Sequence, residues 1–310
     1  MKEYKDVSAQ SVSWLKSNRI ALERNQNAIK HLLYPDNTEE FSKLILNLYR
    51  EKKNFDLIGW SSNTLFMPTY QIDYLICTKH INQWHETDNE IICDCGVPVS
   101  KLARICVEKG YKGYYGLIEL PGTIAAAVYG NCGCYDCSVM ELVSYVDLLT
   151  PNGNIVNVTP HDMYPQVRST ALKSGKLRGT IIKVALKKDL GNREEEIEKS
   201  KEMQRKRHAT QPNGVNNLGS TFVLGKTLSS QGHKYYSIKS NIQKWLHINN
   251  RSLLQAMTLT LMGGYRFTPY LFDLGRWMFR DNKSYDLLFE YEKFIKKMFP
   301  DAHYEIEIRK

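Results

Sequence analysis

The run Glu119-Leu120-Pro121-Gly122-Thr123-Ile124-Ala125-Ala126-Ala127-Val128 is followed at once by Asn131-Cys132-Gly133-Cys134-Tyr135. It reads as a Pro-Gly turn, a line of very small residues and a second glycine turn. Glycine and alanine leave main-chain N–H groups uncovered, so the segment suits a large flat or diphosphate-bearing ligand lying against the backbone. An ordinary turn leading into a closely packed helix has the same composition, and the segment alone leaves both readings open. Cys132, Cys134 and Cys137, with Cys93 and Cys95, could in principle build a tetrahedral thiolate site. Their spacing matches no paired zinc signature, however, and small buried thiols in alanine-sized positions are the better reading, so no metal is expected. The seven cysteines are odd in number and follow no signal peptide, which favours reduced thiols over a disulfide framework.

These residues need a scaffold, and the flanking sequence supplies candidates for it. A helical opening leads into a βαβ-like unit: Phe41, Leu44, Ile45 and Leu48 recur at helical spacing behind a capping Asn37-Thr38, and Asn54–Gly59 reads as a short strand ending in a glycine. The next residues, Gly59-Trp60-Ser61-Ser62-Asn63, form a plausible anion-binding turn. Tyr74–Thr78 and Glu90–Cys95 read as further strands, and Val99, Leu102, Ile105 and Cys106 line a helix stopped by Gly110. Leu142–Thr150 and Asn154–Thr159 flank Pro151-Asn152-Gly153, a strong hairpin signal, and Gly179–Lys187 is one more strand. The main boundary is expected at Gln211-Pro212-Asn213-Gly214. Near the end, Leu287, Leu288, Tyr291, Phe294, Ile295 and Met298 share a helix face, followed by an alternating strand, Tyr304–Arg309.

At 310 residues and 42% hydrophobic the chain can bury a large core in two or three domains. No apolar run approaches the roughly 20 residues that cross a bilayer, and the charged amino terminus resembles no leader, so a cytoplasmic location is expected. The formal charge of +9 is spread along the chain, which suits anionic small molecules such as phosphate-bearing cofactors and nucleotide sugars. The cluster Lys199, Lys201, Arg205, Lys206 and Arg207, behind Glu194-Glu195-Glu196, reads as a solvated helix with i,i+4 pairs rather than a nucleic-acid patch.

Taken in order, these pieces resemble the UDP-N-acetylenolpyruvylglucosamine reductase family of flavoenzymes. The similarity runs from about Arg24 to Lys187, resumes at Gln211–Phe222 and returns at the carboxyl end. Leu57-Ile58-Gly59-Trp60-Ser61-Ser62-Asn63-Thr64-Leu65 is similar to the family's glycine-rich diphosphate turn, with Trp60 and Ser61 in place of two glycines. Pro121–Ala127 resembles Pro-Gly-Thr-x-Gly-Gly-Ala, with both later glycines replaced by Ala125 and Ala126, and Asn131–Tyr135 resembles Asn-Ala-Gly-Ala-Tyr. Alanine at a positive φ would cost roughly 1 kcal/mol, so a right-handed helical start is expected at Ala125 and Ala126. Tyr164–Lys173 is similar to the family's Phe-Gly-Tyr-Arg-x-Ser segment, Gln211-Pro212 and Asn217–Phe222 to Gln-Pro and Asn-x-Gly-Ser-x-Phe, and Tyr304–Arg309 to the terminal Leu-Glu-x-Glu-Val-Arg strand.

The resemblance implies an α+β chain: a two-subdomain PCMH-type FAD-binding fold over residues 1–80 and 81–190, then a C-terminal α+β substrate domain over 191–310. It implies FAD held by Gly59, Ser61, Ser62, Asn63, Thr64, Pro121, Gly122, Thr123, Ala126, Ala127, Asn131, Gly133, Ile182 and Arg309. Cys132 and Cys134 then stand near the flavin, where a covalent thioether is chemically open. The implied reaction passes hydride from NADPH through FAD to the enolpyruvyl group of UDP-N-acetylglucosamine enolpyruvate or a related nucleotide sugar. Arg168 stabilises the enolate, Ser220 donates the proton and Glu307 assists it. Glu305 and Glu307 share a strand face in the alternating reading, and only the resemblance selects Glu307.

Between about Val223 and Tyr285 the family pattern is lost. An aromatic, basic stretch stands there instead, with Tyr235-Tyr236, Trp245, Tyr265-Arg266-Phe267 and Arg276–Arg280. This is the region expected to close over substrate. Three readings therefore stay open at this point: a reductase of this or another sugar nucleotide, a FAD-dependent oxidase or dehydrogenase of another small molecule on the same fold, and a non-catalytic binding protein. No nucleic-acid-binding signature accompanies the basic residues, and no membrane insertion is expected.

Overall fold

The structure is a computed structural model describing residues 2–4, 29–67, 69–134, 137–210, 217–248 and 250–309. The helical opening expected before the βαβ-like unit, and the boundary and Gln211-Pro212 match at 211–214, lie outside the described residues. The described chain forms two compact units. One takes in Asn27–Ser62 and Gln71–Gln211, the other Asn63–Tyr70 and Pro212–Lys310.

In the first unit, β1 (Lys2–Tyr4) pairs antiparallel with β2 (Ile29–Tyr34). Helix α1 (Thr38–Arg50) starts at the expected cap, where Asn37 Oδ1 accepts the Glu40 N–H at 2.9 Å. Strand β3 (Phe55–Ile58) follows, then β4 (Thr64–Phe66), which belongs to the second unit, and β5 (Ile72–Cys77). β5 lies between β2 and β3 and parallel to both, in the sheet order β1-β2-β5-β3, so β2–α1–β3 is a βαβ crossover whose helix and second strand were read from the sequence while β2 was not.

A second sheet is antiparallel throughout. It is formed by β6 (Trp84–Glu86), β7 (Glu90–Asp94), β10 (Val143–Leu149), β11 (Ile155–Val158) and β12 (Thr180–Lys187), and between β7 and β10 the chain forms α2 (Val99–Glu108), α3 (Ile124–Tyr129), the separate two-stranded hairpin β8 (Gly133–Cys134) and β9 (Cys137–Ser138), and α4 (Val139–Leu142). Its order is β11-β10-β12-β7-β6. The β10–β11 turn carries Gly153 at φ +90°, as its Pro-Asn-Gly sequence requires. β12 is buried almost end to end because both of its faces are covered. Ile182 packs with Phe41 and Ile45 of α1, while Ile181, Val184 and Leu186 join Leu102, Val107, Ile124 and Val128.

Helix α5 (Arg193–Thr210) is the charged helix expected, with Lys199–Glu195 at 2.7 Å and Lys206–Glu202 at 2.6 Å at i,i+4. Four cysteines, 77, 93, 95 and 106, are buried, and burial raises the thiol pKa of Cys77 to about 11 and of Cys106 to about 12. They behave as small core residues.

The second unit holds β13 (Phe222–Val223), α6 (Ser230–Leu246), α7 (Arg251–Leu261), the hairpin β14 (Leu271–Asp273) and β15 (Arg276–Trp277), α8 (Asn282–Met298), β16 (His303–Tyr304) and β17 (Glu307–Arg309). Its core is aromatic. Trp277 and Tyr291, both fully buried, have ring centroids 5.2 Å apart, and Phe267 meets Tyr291 edge-on at 5.2 Å. The Tyr291 hydroxyl donates to the Leu274 carbonyl at 2.7 Å and the Trp277 indole to the Ser284 carbonyl at 2.9 Å. Helix α8 begins at a capping box between Asp281 and Ser284.

One expected element is corrected. Tyr304–Arg309 is not a single alternating strand: β16 pairs antiparallel with β13, and β17 pairs parallel with β4. The break falls where Ile306 turns into the core and the Glu305 N–H is taken by the Thr221 carbonyl at 2.9 Å. Glu305 and Glu307 therefore share no strand face.

Candidate active site

In the first unit the two glycine turns lie against each other. β3 delivers the chain to Gly59, where an added Cβ would come within 2.5 Å of Thr123 Oγ1 and 2.9 Å of Thr123 Cγ2. Glycine is thus required at 59 by the packing of one turn on the other. Gly122 adopts φ +120°, a conformation that a side chain would strain. Ser62 Oγ donates to the Pro121 carbonyl at 3.2 Å and so ties the turns together.

Ser61, buried at φ +50°, turns its hydroxyl to the Trp60 carbonyl at 2.8 Å. The hydroxyls of Ser61 and Ser62, two residues implied by the resemblance to hold FAD, thus both donate to main-chain carbonyls.

The small-residue segment enters α3 as expected. Ala125 and Ala126 are right-handed and helical, with the Ile124 and Ala125 N–H groups bonded to the Val97 and Cys95 carbonyls at 2.9 and 3.1 Å. Ala126 is exposed, whereas Ala127 packs into the core, as does Ile182, whose carbonyl accepts the Cys95 N–H at 3.1 Å.

Beyond α3, Asn131 stands at φ +44°, which asparagine tolerates, and its amide donates to the Gln166 carbonyl at 2.8 Å. Gly133 sits where a Cβ would lie 2.0 Å from the Cys137 carbonyl oxygen, so the β8–β9 hairpin closes only around glycine. Cys132 and Cys137 are half-buried.

Gln166 and Ser169 exchange main-chain hydrogen bonds at 2.9 and 3.1 Å and enclose a tight turn with Val167 81% exposed and Arg168 at φ +57°. Thr170 Oγ1 donates to the Tyr129 carbonyl at 2.8 Å. The Arg168 turn is therefore fastened, at Gln166 and Thr170, to the segment that ends the small-residue helix.

The residues present fit a bound dinucleotide in one testable respect. Thr123 Oγ1 is buried between the two turns with no hydrogen-bond partner, a state that costs roughly 1–3 kcal/mol when nothing satisfies the hydroxyl. An orphaned hydroxyl between two glycine-dependent turns is the pattern expected of a cradle for a polar group.

The second unit gathers the other predicted residues. β17 runs parallel to β4 with Glu307 opposite Thr64 and Arg309 opposite Phe66. The Glu307 N–H bonds to the Asn63 carbonyl at 2.8 Å, and the Asn63 amide donates to the Glu305 carbonyl at 3.3 Å. Ser220 follows Gly219 (φ +79°) and precedes the fully buried Thr221. Thr221 donates its N–H to the Gly275 carbonyl at 2.8 Å and accepts the Trp277 N–H on Oγ1 at 3.1 Å, and its carbonyl receives the Glu305 N–H. One residue, Thr221, thus links the Ser220 segment to the chain leading into Glu307.

Ser220 also lines a cavity of about 330 Å³ with Tyr235, Tyr236, Lys239, Gln255 and the Asp273–Arg276 ion pair. The sequence reading placed Tyr235, Tyr236 and Arg276 in the stretch expected to close over substrate and gave Lys239, Gln255 and Asp273 no individual role. The turn Asp273-Leu274-Gly275-Arg276, with Gly275 N–H on Asp273 Oδ1 at 2.9 Å, is the only local signal that could have drawn attention to them. No group of acidic, histidine and cysteine side chains suited to a metal ion occurs among the described residues.

The chain is similar to known proteins along most of its length. Residues 29–159 match the family model described as FAD binding domain. The chain is 27% identical over 217 residues to the UDP-N-acetylenolpyruvoylglucosamine reductase of Caldicellulosiruptor saccharolyticus, covering 67% of this chain and 69% of the relative. It is 27% identical over 217 residues to that of Caldicellulosiruptor bescii, covering 67% and 68%. Its fold is that of the UDP-N-acetylenolpyruvylglucosamine reductase from Thermus caldophilus, with a TM-score of 0.63 at 16% identity over 90% of this chain and 92% of the other. The chain is similar to the UDP-N-acetylenolpyruvoylglucosamine reductases over about two thirds of its length and is built on the α+β, PCMH-type FAD-binding fold.

Proposed function

We propose that this chain is a FAD-dependent reductase of peptidoglycan precursor synthesis, acting with NADPH on the enolpyruvyl group of UDP-N-acetylglucosamine enolpyruvate or a related nucleotide sugar. The observation that carries the reading is the tie through Thr221 between the Ser220 segment and the chain leading into Glu307, two segments far apart in sequence that the reaction needs together. FAD, when bound, supplies the hydride carrier that NADPH reloads.

The residues proposed to hold it are, in the first unit, the main-chain groups of Gly59–Ser62 and Pro121–Thr123, with the Thr123 hydroxyl as an added polar contact and with Ala126, Asn131 and Gly133; in the second unit Asn63, Thr64 and Arg309 are proposed by the resemblance alone. Ala127 and Ile182 act from the core, shaping the floor under the small-residue helix.

Arg168 offers a permanently charged, forked donor to the substrate oxygen on which negative charge develops. Ser220 Oγ gives its proton to the substrate carbon, and the carboxylate of Glu307 assists that transfer. A serine is a weak acid, so the alkoxide left on Oγ must be stabilised and then reprotonated from solvent. The reading carries a cytoplasmic enzyme, where NADPH is available.

The test is an anaerobic titration of the purified protein. Flavin absorption bleached by NADPH and restored by UDP-N-acetylglucosamine enolpyruvate is the expected result. Flavin that is bleached but not restored by that compound would move the chain to an oxidase or dehydrogenase of another small molecule, and a protein unable to bind flavin would sink the reading.

A further inference from the structure

Between Met203 and Phe272 the chain contains no aspartate or glutamate. Within the second unit this stretch carries Lys226, Lys234, Lys239, Lys244, Arg251 and Arg266, and among the described residues only Arg266 forms an ion pair, with Glu290 at 2.7 Å. The other five have no ion-pair partner among the described residues, unlike the lysines of α5, each of which has a glutamate near it.

Large apolar side chains stand among them. α6 ends and α7 begins at one shared end of the helix pair, and there Trp245 is 80%, Leu246 55% and Leu253 50% exposed, flanked by exposed Lys244, His247 and Arg251. An indole and two leucines held in water at a basic tip are unusual for a surface that only water covers.

We propose that this helix-pair tip docks on an anionic phospholipid surface, with Trp245, Leu246 and Leu253 entering the headgroup–acyl boundary while Lys244 and Arg251 meet lipid phosphates. The charge decides between occupants. A two-fold contact with a second copy would set the same uncompensated basic patch against itself. Nucleic acid would use the indole for base stacking but has no use for the two leucines. A membrane interface takes both kinds of side chain: tryptophan and leucine partition into it, and each cation near an anionic leaflet adds to the attraction.

The whole chain is sedimented with vesicles of phosphatidylcholine alone and of phosphatidylcholine mixed with phosphatidylglycerol. Co-sedimentation with the mixed vesicles only, reversed by salt, is expected. The double variant Trp245→Ala/Leu246→Ala, and separately Lys244→Glu/Arg251→Glu, should each weaken partitioning by at least roughly tenfold at unchanged flavin content. Three results would overturn the proposal: equal binding to neutral vesicles or none to either kind, wild-type partitioning by both variants, or binding to soluble polyglutamate that survives loss of Trp245 and Leu246. The last would assign the face to an acidic protein instead.

Discussion

In the first unit the turns proposed to hold FAD are fixed by main chain and by small side chains: Gly59 against Thr123, the Ser62 hydroxyl on the Pro121 carbonyl, and Ile124 and Ala125 on the carbonyls of Val97 and Cys95. In the second unit the Ser220 segment is fixed by an aromatic interior, where Trp277, Tyr291 and Phe267 support the hairpin that bonds to Thr221. The difference explains why the two units differ in how much of a family pattern they show. A backbone cradle keeps its shape while side chains change, so two glycines can become Ala125 and Ala126 once the segment is helical. An interior of interlocked rings is re-specified whenever any ring changes.

If the first unit holds cofactor and the second supplies the proton, substitutions in each should separate binding from turnover. The largest expected effect is Ser220→Ala. Removing a general acid should lower turnover roughly 10²–10⁴-fold while flavin binding and its reduction by NADPH stay at wild-type levels. Stopped-flow separation of the two half-reactions measures this, and a Ser220→Ala protein that lost its flavin would break the division of labour. Next is Arg168→Lys, which keeps the charge but loses the paired donors. A fall of roughly 10- to 100-fold in kcat/KM for the nucleotide sugar, with flavin reduction unaffected, is expected.

A smaller effect, and the sharpest test of the cradle, is Gly59→Ala. The new methyl would press on Thr123 from 2.5 Å, and overpacking of this kind costs roughly 1–3 kcal/mol. Flavin occupancy and denaturant midpoint should both fall. A variant that kept full flavin occupancy would show that the two turns do not meet the cofactor as a pair.

Much of the first unit was legible because its signals are local. Asn37 caps α1, Pro151-Asn152-Gly153 turns the β10–β11 hairpin and Gly110 stops α2, each within a few residues of the element it controls. The turn at Ser61 was less so: nothing in Trp-Ser-Ser shows that φ reaches +50° and turns that hydroxyl onto its own chain. The second unit resisted reading because composition cannot sort its rings. Tyr235 and Tyr236 are adjacent and identical in type, yet one is 1% and the other 44% exposed. The Tyr304–Arg309 alternation was misread for a related reason. Its two halves pair with different partners, β13 and β4, and such partners are distant in sequence.

The smallest expected effect lies away from either proposed role, in the scaffold of the first unit. Glu86 accepts hydrogen bonds from Lys109 at 2.5 Å and from the Tyr111 hydroxyl at 2.9 Å, with Lys188 at 3.2 Å, and these partners, Lys109 foremost, hold its carboxyl below the usual 4.5. A carboxylate whose pKa is lower in the folded than in the unfolded chain stabilises the fold above the unfolded value, and this is lost as pH falls through the folded one. Glu86→Gln should therefore cost about 1 kcal/mol at neutral pH and approach nothing in strong acid. Tyr111, bonded to Glu86, adds an alkaline dependence. Burial, and then its bond to Glu86, push its hydroxyl from 10 to about 12, so its contribution is full below pH 10 and fades as pH rises towards 12. Urea titrations of wild type and Glu86→Gln across this range should converge at the acid end. A gap that persisted there would mean that Glu86 acts through packing rather than through its charge.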